Sequence, residues 1–210
     1  MGKVVVFGGG TFNPVACHLA LAVPAFGETA KRLVRLFKDN GTLDTQLVLT
    51  KMADTDSKLI YNDDVENFLC DSILPDEDVK AIVMNAAICD FTMENPSTET
   101  RLSSAKDYQT TLKGVTSKIV AKIKQRRPDI IVCGFKTTHG ASKVEQTSKA
   151  FASMAANNLD LVLANDLKSR NNILITKDLT IQEGRREWLM QQIVDNIVIY
   201  TNMREWGLDK

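Results

Sequence analysis

Histidine and cysteine are scarce in this sequence, and neither charge sign is in excess; each shortage closes off a class of function. The only histidines are His18 and His139, and the cysteines are Cys17, Cys70, Cys89 and Cys133. No two cysteines fall within a CxxC spacing, and no zinc-ligand pattern can be assembled from so few groups. Cys89 and Cys133 lie in apolar runs and are expected to be small, buried core residues in a reducing compartment. Lys+Arg and Asp+Glu both number 26, so no net field draws the chain toward nucleic acid or an anionic membrane. The one short basic cluster, Lys122, Lys124, Arg126 and Arg127, falls on a helical pattern and reads as a solvated helix face. No apolar run is long enough to cross a bilayer. The longest near the start, Leu19 to Phe26, is short and broken by Pro24, with no basic segment before it. The expected location is the cytoplasm, with no nucleic-acid partner and no membrane.

What is present is an ordinary globular composition: 210 residues, 44% hydrophobic and 25% charged. That length suits a single domain over residues 1–210, large enough to bury most of its apolar surface. Short β-branched runs alternate with longer helical patterns, which implies βαβ units. Lys3–Phe7 reads as a first strand, followed by Gly8-Gly9-Gly10-Thr11 and an apolar loop to Gly27. A helix over Glu28–Lys38 carries Ala30, Leu33, Val34 and Phe37 on one face and stops at Asn40-Gly41. Gln46–Thr50 is a strand, Val65–Leu74 a helix, and Ala81–Ala87 a strand buried on both sides. Residues 92–112 are polar and weakly periodic, and read as a long flap. Thr116 can cap a helix running to Arg127, and Asp129–Lys136 is the next strand. A helix from Lys143 to Asn157, strands at Leu159–Asp166 and Ile173–Thr176, and a helix from Gly184 to Met203 complete the chain. The expected fold is α/β: a Rossmann-like, mostly parallel sheet with flanking helices and one long flap.

In open parallel sheets ligands bind beyond the carboxyl ends of the strands. Those ends carry Gly9-Gly10-Thr11, Ala86-Ala87-Ile88-Cys89-Asp90-Phe91, Gly134-Phe135-Lys136 and Ala164-Asn165-Asp166. Small residues there let a ligand approach the backbone, and each segment adds a polar group. The glycine triplet lacks both the GxGxxG spacing and the P-loop Lys-Ser/Thr, and a tight turn needs glycine in any case. Asp90 could accept hydrogen bonds from a ribose or base, or cap the next segment. Lys136 supplies a point charge for a phosphate, or snorkels at a sheet edge. Thr116-Ser117 can present hydroxyls and free amides to an anion, or simply cap a helix.

Taken in order, these segments resemble the phosphopantothenate–cysteine ligase family, the synthetase domain of the DNA/pantothenate metabolism flavoproteins. The resembling segments are Gly9-Gly10-Thr11, Ala86 to Phe91, Gly134-Phe135-Lys136-Thr137-Thr138 and Ala164-Asn165-Asp166. The runs Ala164 to Arg170 and Ile175-Thr176-Lys177-Asp178 are similar to the eukaryotic branch in particular. The resemblance implies an enzyme that activates a carboxylate as an acyl-nucleotide with CTP or ATP, with Mg²⁺, and joins it to an amine. It implies small-molecule substrates, a phosphopantothenate-like acid and a cysteine-like amine, and a homodimer. It also implies residue roles: Asp90 at the nucleotide, Thr116 and Ser117 at the phosphates, Phe135 against the nucleotide, and Lys149 as a phosphate-binding lysine.

The sequence departs from the family pattern at several points. Val23 stands where the family has an asparagine serving the second half-reaction, Ala25-Phe26 replace two serines, and Thr137 replaces a glutamate. Arg101 replaces a flap lysine, keeping the charge with a different geometry, and is expected near phosphate or the activated carboxylate. His18, flanked by small and apolar residues, could orient a carboxylate or shuttle a proton from the attacking amine. The segment Gly9 to Val15 also looks like the opening of the nucleotidylyltransferases, but Ala16-Cys17-His18-Leu19 lacks the first histidine and the glycine that would follow. A non-catalytic nucleotide-binding relative of the ligase is the remaining alternative. No metal ligands can be named from the sequence.

Overall fold

In the computed structural model, which describes residues 2–94, 97–98, 101–115 and 118–208, the chain forms one central sheet with helices on both faces. Strand β1 (Lys3–Gly8) is followed by β2 (Phe12–Ala16), β3 (Leu19–Ala22), helix α1 (Glu28–Asn40) and β4 (Asp44–Leu49). Helix α2 (Asn62–Phe68) runs into a π-helical turn at Leu69–Ile73, and β5 (Val79–Met84), β6 (Phe91–Met93) and β7 (Leu112–Gly114) come next. Then follow α3 (Ile119–Arg126), β8 (Ile131–Thr138), α4 (Lys143–Asn157), β9 (Leu161–Asp166), β10 (Asn172–Thr176), β11 (Ile181–Glu183) and α5 (Arg186–Glu205).

The sheet order is β11-β10-β9-β8-β5-β1-β4. Strands β4, β1, β5, β8 and β9 are parallel, while β10 and β11 pair antiparallel at one edge. Counting parallel strands only, the order is 2-1-3-4-5, a doubly wound sheet whose direction of winding switches between β1 and β5. Side-chain alternation assigns the two cores. Val5, Phe7 and Ile82 face a layer of Val65, Leu69, Ile123 and Met154 from α2, the π-turn, α3 and α4. Val4, Val6 and Val83 face Leu33, Phe37, Leu189 and Ile193 from α1 and α5. The β-branched and apolar central strands bury on both sides, as parallel strands covered by helices must.

The mostly parallel α/β architecture agrees with the sequence expectation, and several details differ. Lys124, expected on a solvated helix face with its basic neighbours, is buried where α3 packs toward Asp160. The segment after Thr11 is a hairpin, β2–β3, turning tightly at Cys17-His18 between the paired Ala16 and Leu19. Pro14 sits within β2 of this small two-stranded ribbon, where an edge tolerates it. The flap begins and ends as a second ribbon, β6–β7, with Phe91 opposite Gly114. The helix expected to start at Thr116 is described from Ile119, and Thr116 and Ser117 lie outside the described residues.

Candidate functional site

A cleft of about 940 Å³ opens above the carboxyl ends of β5 and β8. That is at the upper end of the range for ligand sites. Its floor is Met84, Ala86, Ala87 and Ile88 after β5, with Gly134 and Phe135 on β8. Gly134 lets Leu159 pack close: a β-carbon would meet Leu159 Cδ1 at 2.6 Å and displace that side chain, which is itself part of the lining. One wall is the small-residue face of α4, Ala152, Ser153 and Ala156, with Lys149 beside it. Opposite stand Asn62, Asp63 and Glu66 of α2, and the β6–β7 ribbon contributes Thr92, Lys113 and Gly114.

The charges of the cleft are mostly paired. Lys118 Nζ lies 2.7 Å from Asp90, Lys113 Nζ 3.0 Å from Glu94, and Lys149 Nζ 2.7 Å from Glu145. Glu66 pairs with Lys122. Among the lysines lining the cleft the exception is Lys136. It is half-buried at the end of β8, lines the cleft, and has no hydrogen-bond or ion-pair partner among the described residues. A half-buried ammonium without a counter-charge favours an anion arriving from solution. The paired lysines stand on exposed bridges that cost little to open.

The glycine triplet is occupied by the protein itself. A β-carbon on Gly10 would lie 2.0 Å from the carbonyl oxygen of Val23 and 2.7 Å from Met52 Sδ, and one on Gly9 would lie 2.2 Å from Thr50 Oγ1. Gly9 also takes a φ of 97°, open to glycine and strained for other residues. Thr11 is fully buried: its hydroxyl donates to Asn62 Oδ1 at 2.6 Å and accepts from the Cys89 amide at 2.8 Å. A bridge between Gly10 and Ala87 adds the Ala87 N–H to Gly9 oxygen bond and the Thr11 N–H to Ala87 oxygen bond. The crevice at the winding switch is thus laced shut, and the open cleft is displaced one strand over, to β5/β8. Gly9, Gly10 and Thr11 therefore brace the β5 rim and are not among the residues lining the cleft.

Asn165 and Asp166 are also turned to structure. Asp166 accepts from Thr138 Oγ1 at 2.9 Å, from the amides of Ala141, Lys168 and Ser169 at 3.0, 3.0 and 2.8 Å, and from Ser169 Oγ at 3.0 Å. The Ser169 amide foremost holds its carboxyl far below the usual carboxylate range, although burial pushes the other way. Five donors leave it no capacity for a ligand. Asn165 Oδ1 accepts from Thr137 Oγ1 at 3.2 Å. His18 stands exposed at the tip of the β2–β3 hairpin and Arg101 exposed in the flap; neither lines the cleft. Phe91 is exposed on β6. Of the sequence-predicted residues, Ala86, Ala87, Asp90, Gly134, Phe135, Lys136 and Lys149 come together around one opening. Val23 lines it too. The α2 wall was not foreseen. Its one sequence signal was the polar run Asn62-Asp63-Asp64 between the second strand and the next buried helix.

Comparisons with known proteins converge on one group. Residues 28–192 match the family described as DNA/pantothenate metabolism flavoprotein C-terminal domain. The Coenzyme A biosynthesis bifunctional protein CoaBC of Methanocaldococcus jannaschii is 27% identical over 129 residues, covering 58% of this chain and 31% of that protein. Its counterpart in Thermococcus kodakarensis is 32% identical over 88 residues, covering 42% and 21%. The chain thus spans less than a third of the length of these curated relatives. Among solved structures, the DNA/pantothenate metabolism flavoprotein of Streptococcus pneumoniae superposes with a TM-score of 0.81 at 20% identity, covering 95% of this chain and 100% of that one. A Cab2 mutant in complex with phosphopantothenate-cysteine gives 0.69 at 12% identity, covering 100% and 89%. At these identities the superpositions speak for the fold.

Proposed function

Because the chain belongs to the DNA/pantothenate metabolism flavoprotein C-terminal domain family, we propose that it is a coenzyme A biosynthesis enzyme of the phosphopantothenate–cysteine ligase type, using CTP or ATP. Lys136 carries this reading: a cation without a partner among the described residues, half-buried at a strand end in a cleft wide enough for a nucleoside triphosphate. The nucleoside would lie along Ala86-Ala87 and Phe135, with Asp90 in reach of the ribose once Lys118 turns to the phosphates. The Lys136 ammonium would take the triphosphate, with Lys149 at the rim.

The chemistry needs two displacements. A carboxylate oxygen attacks the α-phosphorus and the bond to the β-phosphate breaks, releasing pyrophosphate. The amine then adds to the acyl carbon; a C–N bond forms, the C–O bond to the nucleoside monophosphate breaks with its electron pair, and the proton that the nitrogen sheds passes to solvent. Fixed cations and donors lower both barriers by meeting charge where it develops. Among the described residues no group of three or more His, Cys, Asp or Glu side chains forms a metal cage. Magnesium therefore fits this chain as a companion of the triphosphate, which is how it commonly binds. No step here is routed through it.

The reading extends to a cytoplasmic homodimer. Among the described residues no helix is long and apolar enough to cross a membrane. Leu19 and Phe26, exposed beside the cleft-lining Val23, offer an apolar rim for a second copy. The deciding assay supplies CTP or ATP, Mg²⁺, phosphopantothenate and cysteine. Pyrophosphate together with the amide supports the ligase; pyrophosphate alone means an arrested nucleotidyl transfer. Nucleotide binding without pyrophosphate means a non-catalytic relative. Sedimentation tests the dimer.

A further inference from the structure

Asn62, the first residue of α2, carries a side-chain amide that is fixed on one side and open on the other. Its Oδ1 accepts the Thr11 hydroxyl at 2.6 Å, and its Nδ2 donates to the Cys89 carbonyl oxygen at 2.8 Å. The amide orientation follows from this network. The Cys89 carbonyl oxygen can only accept, so the Asn62 atom 2.8 Å from it must be the nitrogen, and the amide oxygen then faces the Thr11 hydroxyl. A primary amide has two N–H groups, and only one is used. The Cys89 carbonyl oxygen has no capacity for the second, since it also accepts from Asn13 Nδ2 at 3.1 Å. The second N–H has no partner among the described residues, and Asn62 lines the cleft beside Val23, Ala87 and Asp90.

We propose that Asn62 is a substrate-binding residue whose free amide N–H donates to an oxygen of the acid substrate's carboxyl group. The proposal rests on the ligase reading and deepens it. A donor held by buried partners needs no reorganisation when charge grows on that oxygen, which is the condition for an effective oxyanion contact. Of the cleft's other polar side chains, the lysines are suited to phosphates and the carboxylates would repel an acyl oxygen. Thr137 spends its hydroxyl on Asn165, and Asn157 donates to the Ser153 carbonyl oxygen on α4. The Thr92 and Ser153 hydroxyls have no partner among the described residues to fix them. The side chain of Val23, on the same rim, has no hydrogen-bonding group. Asn62 is the neutral donor that the Thr11 and Cys89 contacts hold in place.

The structure also makes a clean test possible. In Asn62→Ala the Thr11 hydroxyl keeps the Ala87 carbonyl within 3.4 Å, and the Cys89 oxygen keeps Asn13. No buried group is orphaned, so the variant should fold. Asn62→Asp serves as the second variant, keeping the acceptor for Thr11 and replacing the donor with an oxygen. With CTP or ATP, phosphopantothenate and cysteine, amide formation should fall about 100-fold in both, the size of losing one oxyanion donor. Nucleotide affinity should stay within about threefold. Amide formation near the parent rate in either folded variant, or a loss that tracks nucleotide affinity, overturns the assignment to Asn62 alone. A parent that releases no pyrophosphate sinks the ligase reading instead. In that case titration with phosphopantothenate decides for Asn62. Binding by the parent and roughly tenfold weaker binding by Asn62→Ala, about 1.4 kcal/mol, supports it; equal binding, or none by the parent, overturns it.

Discussion

The carbonyl oxygen of Val23 stands 2.0 Å from where a β-carbon on Gly10 would be, so the glycine after β1 is filled by the chain's own backbone. Both ends of that contact are pinned. The Val23 amide donates to the Thr11 oxygen at 3.3 Å, and Thr50 Oγ1 donates to the Gly10 oxygen at 2.7 Å. Gly10→Ala must therefore move backbone, and should cost about 1–3 kcal/mol, the usual penalty for overpacking. Gly114→Ala is the control, because nothing lies within 4 Å of its β-carbon position. It should stay within about 0.5 kcal/mol of the parent. Urea unfolding of both checks this, and equal stabilities would mean that the 23–25 segment is not held against Gly10.

Lys136 and Lys149 should respond differently to removal. Lys149 is exposed and already paired with Glu145, whereas Lys136 is half-buried and has no partner among the described residues. Lys136→Ala should weaken CTP or ATP binding by roughly 10–100-fold, the worth of a charged hydrogen bond of about 1.5–3 kcal/mol. Lys149→Ala should change it by less than about fivefold, in keeping with the small worth of exposed ion pairs. Calorimetric titration separates the two, and equal effects would deny Lys136 its special place.

Acid should expose the Asp166 network. Its carboxyl is held well below the ordinary range by the Ser169, Thr138 and Ala141 donors. A carboxyl with a depressed folded-state pKa contributes stability that is fully present above its unfolded pKa. That stability is lost as pH falls through the folded value. Above about pH 4 the parent should be more stable than Asp166→Asn, and the two stability curves should draw together below it. Urea midpoints measured from neutral pH into acid give the comparison; curves that stay parallel into acid would show that Asp166 does not carry this linkage.

Much of the sheet was legible because buried parallel strands leave a strong mark. Runs such as Val4-Val5-Val6 and Ile131-Val132-Cys133 are apolar on both faces and have few other uses. The strand-end residues Asp90 and Lys136 followed from the same logic, since a charge directly after such a run is poorly placed for packing. The pairing of β10 with β11 was not legible: three residues, Ile181 to Glu183, make too short an edge for periodicity to register. Nor was the fate of Gly9, Gly10 and Asp166. Glycines that admit a ligand and glycines that admit Val23 and Thr50 look alike in sequence. An aspartate serving five protein donors has the same letter as one awaiting a substrate. Contacts such as Thr11 with Asn62, 51 residues apart, depend on how α2 lands beside β1, which no local pattern encodes.

The end of the sheet away from the cleft is tied by a buried charge cluster, and its removal should separate stability from binding. Lys124 Nζ lies 2.6 Å from Asp160, with both side chains almost wholly buried; Asp160 also accepts from the Val132 amide at 2.8 Å and from Arg204 at 3.3 Å. One carboxylate thus joins α3, β8, the start of β9 and α5. Burial pushes the Lys124 ammonium below its ordinary pKa, although Asp160 pulls the other way. Asp160→Ala removes the compensation and leaves the desolvation, so it should cost about 3–5 kcal/mol, as breaking a buried pair does. The sign of the pH dependence then follows. With Asp160 gone the folded state holds the Lys124 proton more weakly than the unfolded state, so unfolding takes up a proton and stability rises with pH. The deficit relative to the parent should be larger at pH 7 than at pH 9.5, approaching the ordinary lysine pKa of about 10.4. Adding Lys124→Met to Asp160→Ala should recover part of the loss, because the stranded ammonium goes with it. Nucleotide affinity of the folded single variant should be unchanged, since none of these residues lines the cleft. A pH-independent deficit would mean that Lys124 escapes to solvent once its partner is removed, and that the cluster holds the fold through Arg204 and Val132 alone.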